Sequence, residues 1–165
     1  MTKSIILTDA QIKHKIKRIA YQVYENNVNE KNIIIAGIAN NGFIFAKKLK
    51  TEIENISPIK VTLCNVKIDK KQPLNKIETD LLSSEYQDLS LVLVDDVLNS
   101  GSTLIYAIKH FLNVPLKQFK TAVLVNRNHK KYPVKADFKG ISLSTSIQEH
   151  ITVEFNKKES IAYLN

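Results

Sequence analysis

The sequence is short of several things. In 165 residues it has no tryptophan, one cysteine, one methionine, four glycines and four prolines. The single cysteine, Cys64, excludes an internal disulfide and fits a reducing compartment, so a cytoplasmic location is expected. No apolar run approaches the ~18 residues of a membrane span, and no membrane partner is expected. Met1 to Ala10 lacks the basic start and long apolar stretch of a signal peptide. There is no repeat, low-complexity tract or linker. Arginine is scarce, with only Arg18 and Arg127, and no basic stripe is interleaved with aromatics.

What is abundant is lysine. Lys and Arg number 24 against 16 Asp and Glu, a formal charge of +8. A polyanion partner, RNA or a substrate with several phosphates, would use that charge. A solvated surface would also carry it. The lysines are scattered in pairs such as Lys47–Lys48 and Lys130–Lys131, which favours the solvated surface over RNA.

The 44% hydrophobic content is enough for one globular domain over residues 1–165. Thr8-Asp9 reads as a helix start, with Ile12, Ile16, Ile19 and Val23 following at helical spacing. Asn32–Ile38 is a β-branched run of the kind covered on both faces. A helix is expected over Phe43–Glu54, and Ile59, Val61 and Leu63 alternate as a strand. Lys67 to Thr79 is polar, aperiodic and contains Pro73, so it reads as a long loop of functional type. Then come a strand at Leu91–Val94, a helix at Ser102–Leu112 and a strand at Phe119–Val125. A basic loop from Asn126 to Pro133, a last strand at Ile151–Phe155 and a polar tail, Asn156–Asn165, complete the chain. This alternation predicts an α/β fold: three αβα layers around a mostly parallel sheet. Ligands in such sheets lie at the carboxyl ends of strands, here Gly37–Gly42 and Asp95–Thr103.

The second of these carries the chemistry. Leu91 to Val94 end in Asp95 and Asp96. The small polar loop Asn99-Ser100-Gly101-Ser102-Thr103 follows, and then a helix. Free backbone N–H groups at a helix start favour an anion. Gly101 allows close backbone approach, and the hydroxyls of Ser100, Ser102 and Thr103 add donors. Two carboxylates beside a phosphate cradle suit sugar hydroxyls, Mg2+ or a cation developing on a sugar. Taken singly, the acids could merely end a strand and Ser102 or Thr103 merely cap a helix. The ordered whole is more specific. The P-loop pattern that would make the acids an ATPase magnesium site is absent, and Gly37 to Gly42 lacks the middle glycine of a dinucleotide fingerprint.

Val94–Leu104 resembles the 5-phosphoribosyl-1-pyrophosphate (PRPP) motif of type I phosphoribosyltransferases. The resemblance covers nearly the whole chain and is nearest to the pyrimidine-operon regulators that double as uracil phosphoribosyltransferases. Ile35 to Gly42 resembles their pyrophosphate loop, and Leu124–His129 with Pro133–Gly140 their base-recognition and hood region. The resemblance implies that Asp95 and Asp96 hold the ribose hydroxyls and stabilise an oxocarbenium-like state. It implies that Asn99 to Thr103 hold the 5′-phosphate, that Asn40, Asn41 and Gly42 face pyrophosphate, and that Lys67–Thr79, with Lys67, Lys70 and Lys71, is a lid. Arg127, His129, Val134, Asp137 and Phe138 fall in the base region. Mg2+ would be bound through substrate, with Asp95 and Asp96 as its only candidate protein contacts. PRPP with a nucleobase, or a nucleoside 5′-monophosphate, would be the ligand, and a homodimer or larger assembly is expected.

There are departures. The subgroup usually has a basic residue where Asn41 stands, an arginine where Ser102 stands, and an Arg-Asp-Asp run where Asn65-Val66-Lys67 stands. Three activities fit: transfer to uracil, a ligand-sensing regulator with weak catalysis and RNA as a possible partner, and transfer to a purine. Cys64, in an alternating strand with no activating neighbour, reads as a core thiol.

Overall fold

The computed structural model describes residues 3–165. Its main sheet has six strands: β2 (Asn32–Ile38), β3 (Lys60–Lys67), β4 (Glu78–Thr79), β5 (Ser90–Leu98), β6 (Gln118–Arg127) and β7 (Phe138–Leu143). They lie in the order β4-β3-β2-β5-β6-β7, all parallel except the short β4, which pairs antiparallel with β3. The sheet is central because its strands are apolar on both sides. In β2, Ile33 and Ile35 face one apolar layer, while Ile34, Ala36 and Ile38 face the other. Parallel strands buried on both faces read as continuous apolar runs for this reason.

On one face lie α1 (Asp9–Glu25) and α2 (Asn41–Ile56). On the other lie the single turn α3 (Ser83–Tyr86) and α4 (Ser102–Phe111). Helix α1 starts where a capping box stops the chain from fraying. Thr8 Oγ1 accepts from Gln11 N at 3.4 Å, and Gln11 Oε1 accepts from Thr8 N at 2.9 Å. Its Ile12, Ile16, Ile19 and Val23 are buried, as their spacing predicts. Cys64 is buried in the second core layer, and burial pushes its thiol up to about 12, so it stays protonated and inert. No described helix is long and apolar enough to cross a membrane.

A second, smaller sheet is antiparallel, in the order β1-β9-β8, from β1 (Ser4–Leu7), β8 (Ile151–Phe155) and β9 (Ser160–Leu164). It is the hood. Val153 and Ala162 enter the α1–α2 core, and Phe155 stacks on Phe45 with centroids 6.5 Å apart.

Here the structure corrects the sequence. Asn156–Asn165 is not a polar tail: Ser160–Leu164 is the middle strand of the hood, with Ala162 fully buried and Tyr163 5% exposed. Lys67–Thr79 is not all loop either, because both its ends pair as strands, Lys67 opposite Glu78. The loop proper is residues 68–77. Pro133–Gly140, expected in the base-recognition and hood region, instead leads into β7 at the edge of the main sheet, which had not been expected as a strand.

A charge at the centre of the hood separates the two readings of the C-terminus. Ala162→Asp leaves an unpaired carboxylate in a closed apolar site, which costs about 3 kcal/mol or more. Urea denaturation should show that loss. A variant as stable as the parent would fit a solvated tail instead.

Candidate active site

The site begins at the carboxyl end of β5, the strand flanked by β2 and β6. After Val94 the two acids Asp95 and Asp96 interrupt the apolar run of the strand, which resumes at Val97 and Leu98. Beyond Leu98 the chain makes a tight turn to reach α4. Gly101 sits at the cap of α4 with φ +85°, the left-handed region. A Cβ there would come within 2.4 Å of Val134 Cγ1, so both the backbone angle and the space call for glycine. Ser100 Oγ accepts from Ser102 N at 3.2 Å, and the Ser100 carbonyl takes the N–H groups of Lys131 and Tyr132 at 2.8 and 3.1 Å. The turn is thus braced at Ser100, which also takes the N–H of Ser102, and the N–H groups that follow are the unpaired donors of a helix start.

Asp95, Val97 to Leu104, Val123 and Lys70 line one cavity of about 80 Å3. That is room for a phosphate-sized group and too little for a nucleotide. Lys70 comes from the 68–77 loop, and its Nζ stands 3.7 Å from Asp95 Oδ1. The Asp95 side chain is 6% exposed. Burial, and then the charge of Asp96, hold its carboxyl well above the usual carboxylate range, while Lys70 opposes the shift.

The start of α2 supplies a second wall. Gly42 lies so close to β5 that a Cβ would sit 2.8 Å from the Val94 carbonyl and 3.0 Å from Asp95 Oδ1. Its function in the fold is close approach, bringing α2 onto the acid. Asn41 Nδ2 donates to Asp96 Oδ2 at 3.0 Å and to the Val153 carbonyl at 2.8 Å. One amide therefore ties α2 to an acid of β5 and to the hood. The Ala39–Asn40 peptide is cis. Asn40 opens onto a separate cleft of about 370 Å3 with Ala39, Lys67, Ile68, Asp69, Lys76 and Glu78.

A family profile described as a phosphoribosyl transferase domain matches residues 3–159. The chain belongs to the type I phosphoribosyltransferase family. A relative named Bifunctional protein PyrR, from Streptococcus suis, is 34% identical over 155 residues, spanning 92% of this chain and 89% of the relative. A PyrR from Alkaliphilus metalliredigens is 32% identical, spanning 98% and 95%. Among solved structures, a hypoxanthine phosphoribosyltransferase of Trypanosoma cruzi superposes with TM-score 0.76 over 96% of this chain and 95% of its own, at 14% identity. A Bacillus anthracis hypoxanthine-guanine phosphoribosyltransferase gives 0.76 over 92% and 88%, at 21% identity. Identities this low speak for the fold alone.

In this phosphoribosyltransferase the base-region residues are dispersed. Arg127 is 7% exposed, its Nε donating to Thr145 Oγ1 at 2.5 Å and a terminal nitrogen to the Ser146 carbonyl at 2.6 Å. His129 Nε2 meets the Thr145 carbonyl. Both residues hold the turn that leads from β7 to the hood. Asp137 accepts from Thr121 N at 2.9 Å and pairs with Lys135 at 3.7 Å, fixing the entry to β7. Phe138 is packed in the α1–α2 core and not over a ligand space. Val134 alone of the five reaches the cradle, through Gly101. Lys71 borders a groove between the loop and α4, with Ser102, Tyr106 and Tyr132. Lys76 was missed by the sequence reading, since an aperiodic loop gives no sign of which way a lysine points. Asn126, within the expected base-recognition stretch but not singled out there, is 4% exposed at the end of β6, with an Oδ1 that has no partner among the described residues.

The buried acid has a measurable cost. With its folded pKa raised, Asp95 keeps a proton that the unfolded chain releases near pH ~3.9, so stability falls as pH rises from there toward the folded value. Asp95→Asn should match the parent at about pH 4 and exceed it by on the order of 1 kcal/mol at about pH 8. Urea denaturation at the two pH values tests this. No gain at the higher pH would mean that the charge is fully compensated.

Proposed function

We propose that this phosphoribosyltransferase binds PRPP, or a nucleoside 5′-monophosphate, in the Asp95–Thr103 cavity and transfers phosphoribose to uracil. The observation that supports it most is the shared cavity: the acidic end of β5 and the cradle before α4 enclose one phosphate-sized space. Helix-start N–H groups and the hydroxyls of Ser100, Ser102 and Thr103 hold the 5′-phosphate. Asp95 and Asp96 then lie on the ribose side. Asn41, through its bond to Asp96, positions that carboxylate for the ribose hydroxyls and for positive charge growing at the anomeric carbon. Asn40, Lys67 and Lys76 line the separate cleft together with Asp69 and Glu78, where a departing pyrophosphate would meet two cations and two acids. The 68–77 loop, which carries Lys70 to the cavity, opens to admit substrate. Its closure excludes water during transfer.

Mg2+ fits this donor set. Adjacent carboxylates are hard oxygen ligands of the kind the ion takes together with substrate phosphates, and Asp95 and Asp96 would be its protein contacts. No described group of three or more His, Cys, Asp or Glu side chains is arranged for a metal. When bound, the ion neutralises pyrophosphate charge.

Uracil is the first base to test because the relatives at 30–34% identity are named PyrR. A second reading, a nucleotide-sensing regulator with slow turnover, is favoured by one feature. Asn41 is neutral and hydrogen-bonded to Asp96 and Val153, so it is not free to meet pyrophosphate.

PRPP consumption with Mg2+, measured against a panel of pyrimidine and purine bases, distinguishes these. Uracil should support turnover, slower than in relatives with basic residues at positions 41 and 102. Asp95→Asn or Asp96→Asn should reduce it on the order of a hundredfold. Consumption with hypoxanthine or guanine and none with uracil would make it a purine enzyme. UMP binding by calorimetry without consumption of PRPP would make it a sensor.

A further inference from the structure

The cradle at the head of α4 has no cation of its own. Asn99, Ser100, Gly101, Ser102 and Thr103 are all neutral, and the facing wall carries Asp95. A phosphate monoester brings a charge of about −1.5 to −2 at neutral pH. Backbone N–H groups at a helix start oppose this with only about half an elementary charge. Among the residues lining the cavity the one positive side chain is Lys70, and it belongs to the 68–77 loop.

The loop is also seated on the cradle's helix. Lys70 to Leu74 enclose a groove with Ser102 and Tyr106 of α4 and with Tyr132, about 440 Å3 in volume. Ser102 is the small residue at the floor of this groove. A long side chain at 102 would grow into the space between loop and helix, so the serine that removes a cation from the cradle also makes room for the loop that brings one.

We infer that Lys70 is the phosphate-binding cation of this site, delivered by the loop. Its ammonium rests on Asp95, 3.7 Å away, and already forms part of the wall of the phosphate space. With a phosphate in the cradle it lies between the anion and the acid, and attracts both. Loop closure and recognition of the 5′-phosphate thereby become one event, and a ligand lacking the phosphate leaves the loop open. This rests on the cavity being the 5′-phosphate site.

Calorimetric titration of the parent, Lys70→Met and Lys70→Arg with UMP, ribose 5-phosphate and uridine tests it. Lys70→Met should weaken UMP and ribose 5-phosphate roughly ten- to a hundredfold, the range for one charge-assisted hydrogen bond, and leave uridine within a few-fold. Lys70→Arg, which keeps the charge, should retain most of the affinity. UMP should slow hydrogen exchange over residues 68–77 in the parent and not in Lys70→Met. Equal affinity of the parent and Lys70→Met for UMP would overturn the inference and leave the phosphate site standing. Tighter binding by Lys70→Met would also overturn it, making Lys70 a plug on Asp95. A parent that binds neither UMP nor ribose 5-phosphate would remove the phosphate site itself, and the inference with it.

Discussion

Asp95 is a carboxylate held nearly out of water at the end of a strand that has neighbours on both sides, and the elements around it are arranged to accommodate that. The Asp96 N–H donates to its Oδ1 at 2.9 Å. Gly42 lets the start of α2 press against it, and Lys70 reaches in from the loop. Each contact answers the same difficulty: a charge in a low-dielectric place needs partners or a proton. A ligand presenting hydroxyls or a cation is one more partner. The strain of keeping the acid is thus also the driving force for filling the site, in keeping with stability being given up where function is concentrated.

The surface charge has a plainer explanation. Lys47 lies over the Phe43 ring, Lys48 over Phe155 and Lys3 over Tyr163. Lys13 pairs with Asp9 and Lys117 with Glu30. These lysines cover aromatic ring faces and pair with nearby acids rather than form one continuous face. Exposed pairs of this kind contribute little to stability, about 0–1 kcal/mol each.

What the sequence revealed was what is local. The strand, acids, loop and helix from Leu91 to Phe111 are contiguous, and their order alone located the cavity. The first helix was legible because its cap and its apolar stripe lie within one segment. The hood was not. Ser4–Leu7 and Ser160–Leu164 each span four or five residues, too short for periodicity, and they define a sheet only through pairing such as Ser4 with Leu164. Arg127 and His129 were expected in the base region, and no spacing rule says that they turn to Thr145 and Ser146. The second tie of Asn41, to Val153, bridges 112 positions and has no sequence signature.

That the hood joins the two ends of the chain bears on how the molecule is made. Its middle strand, Ser160–Leu164, is synthesised long after its neighbour β1, Ser4–Leu7. A nascent chain can pair β2, β3, β5 and β6 as each emerges, since these contacts form between successive segments. Until Ser160–Leu164 has been released, β1 has no partner and β8 has lost its inner neighbour. Long-range pairing of this sort forms slowly, and its edges are open in the meantime. The chain therefore acquires its main sheet progressively during translation but closes its hood only after β9 has emerged. A polypeptide cut short before Ser160 would present the PRPP motif in full without the strand that completes its cover.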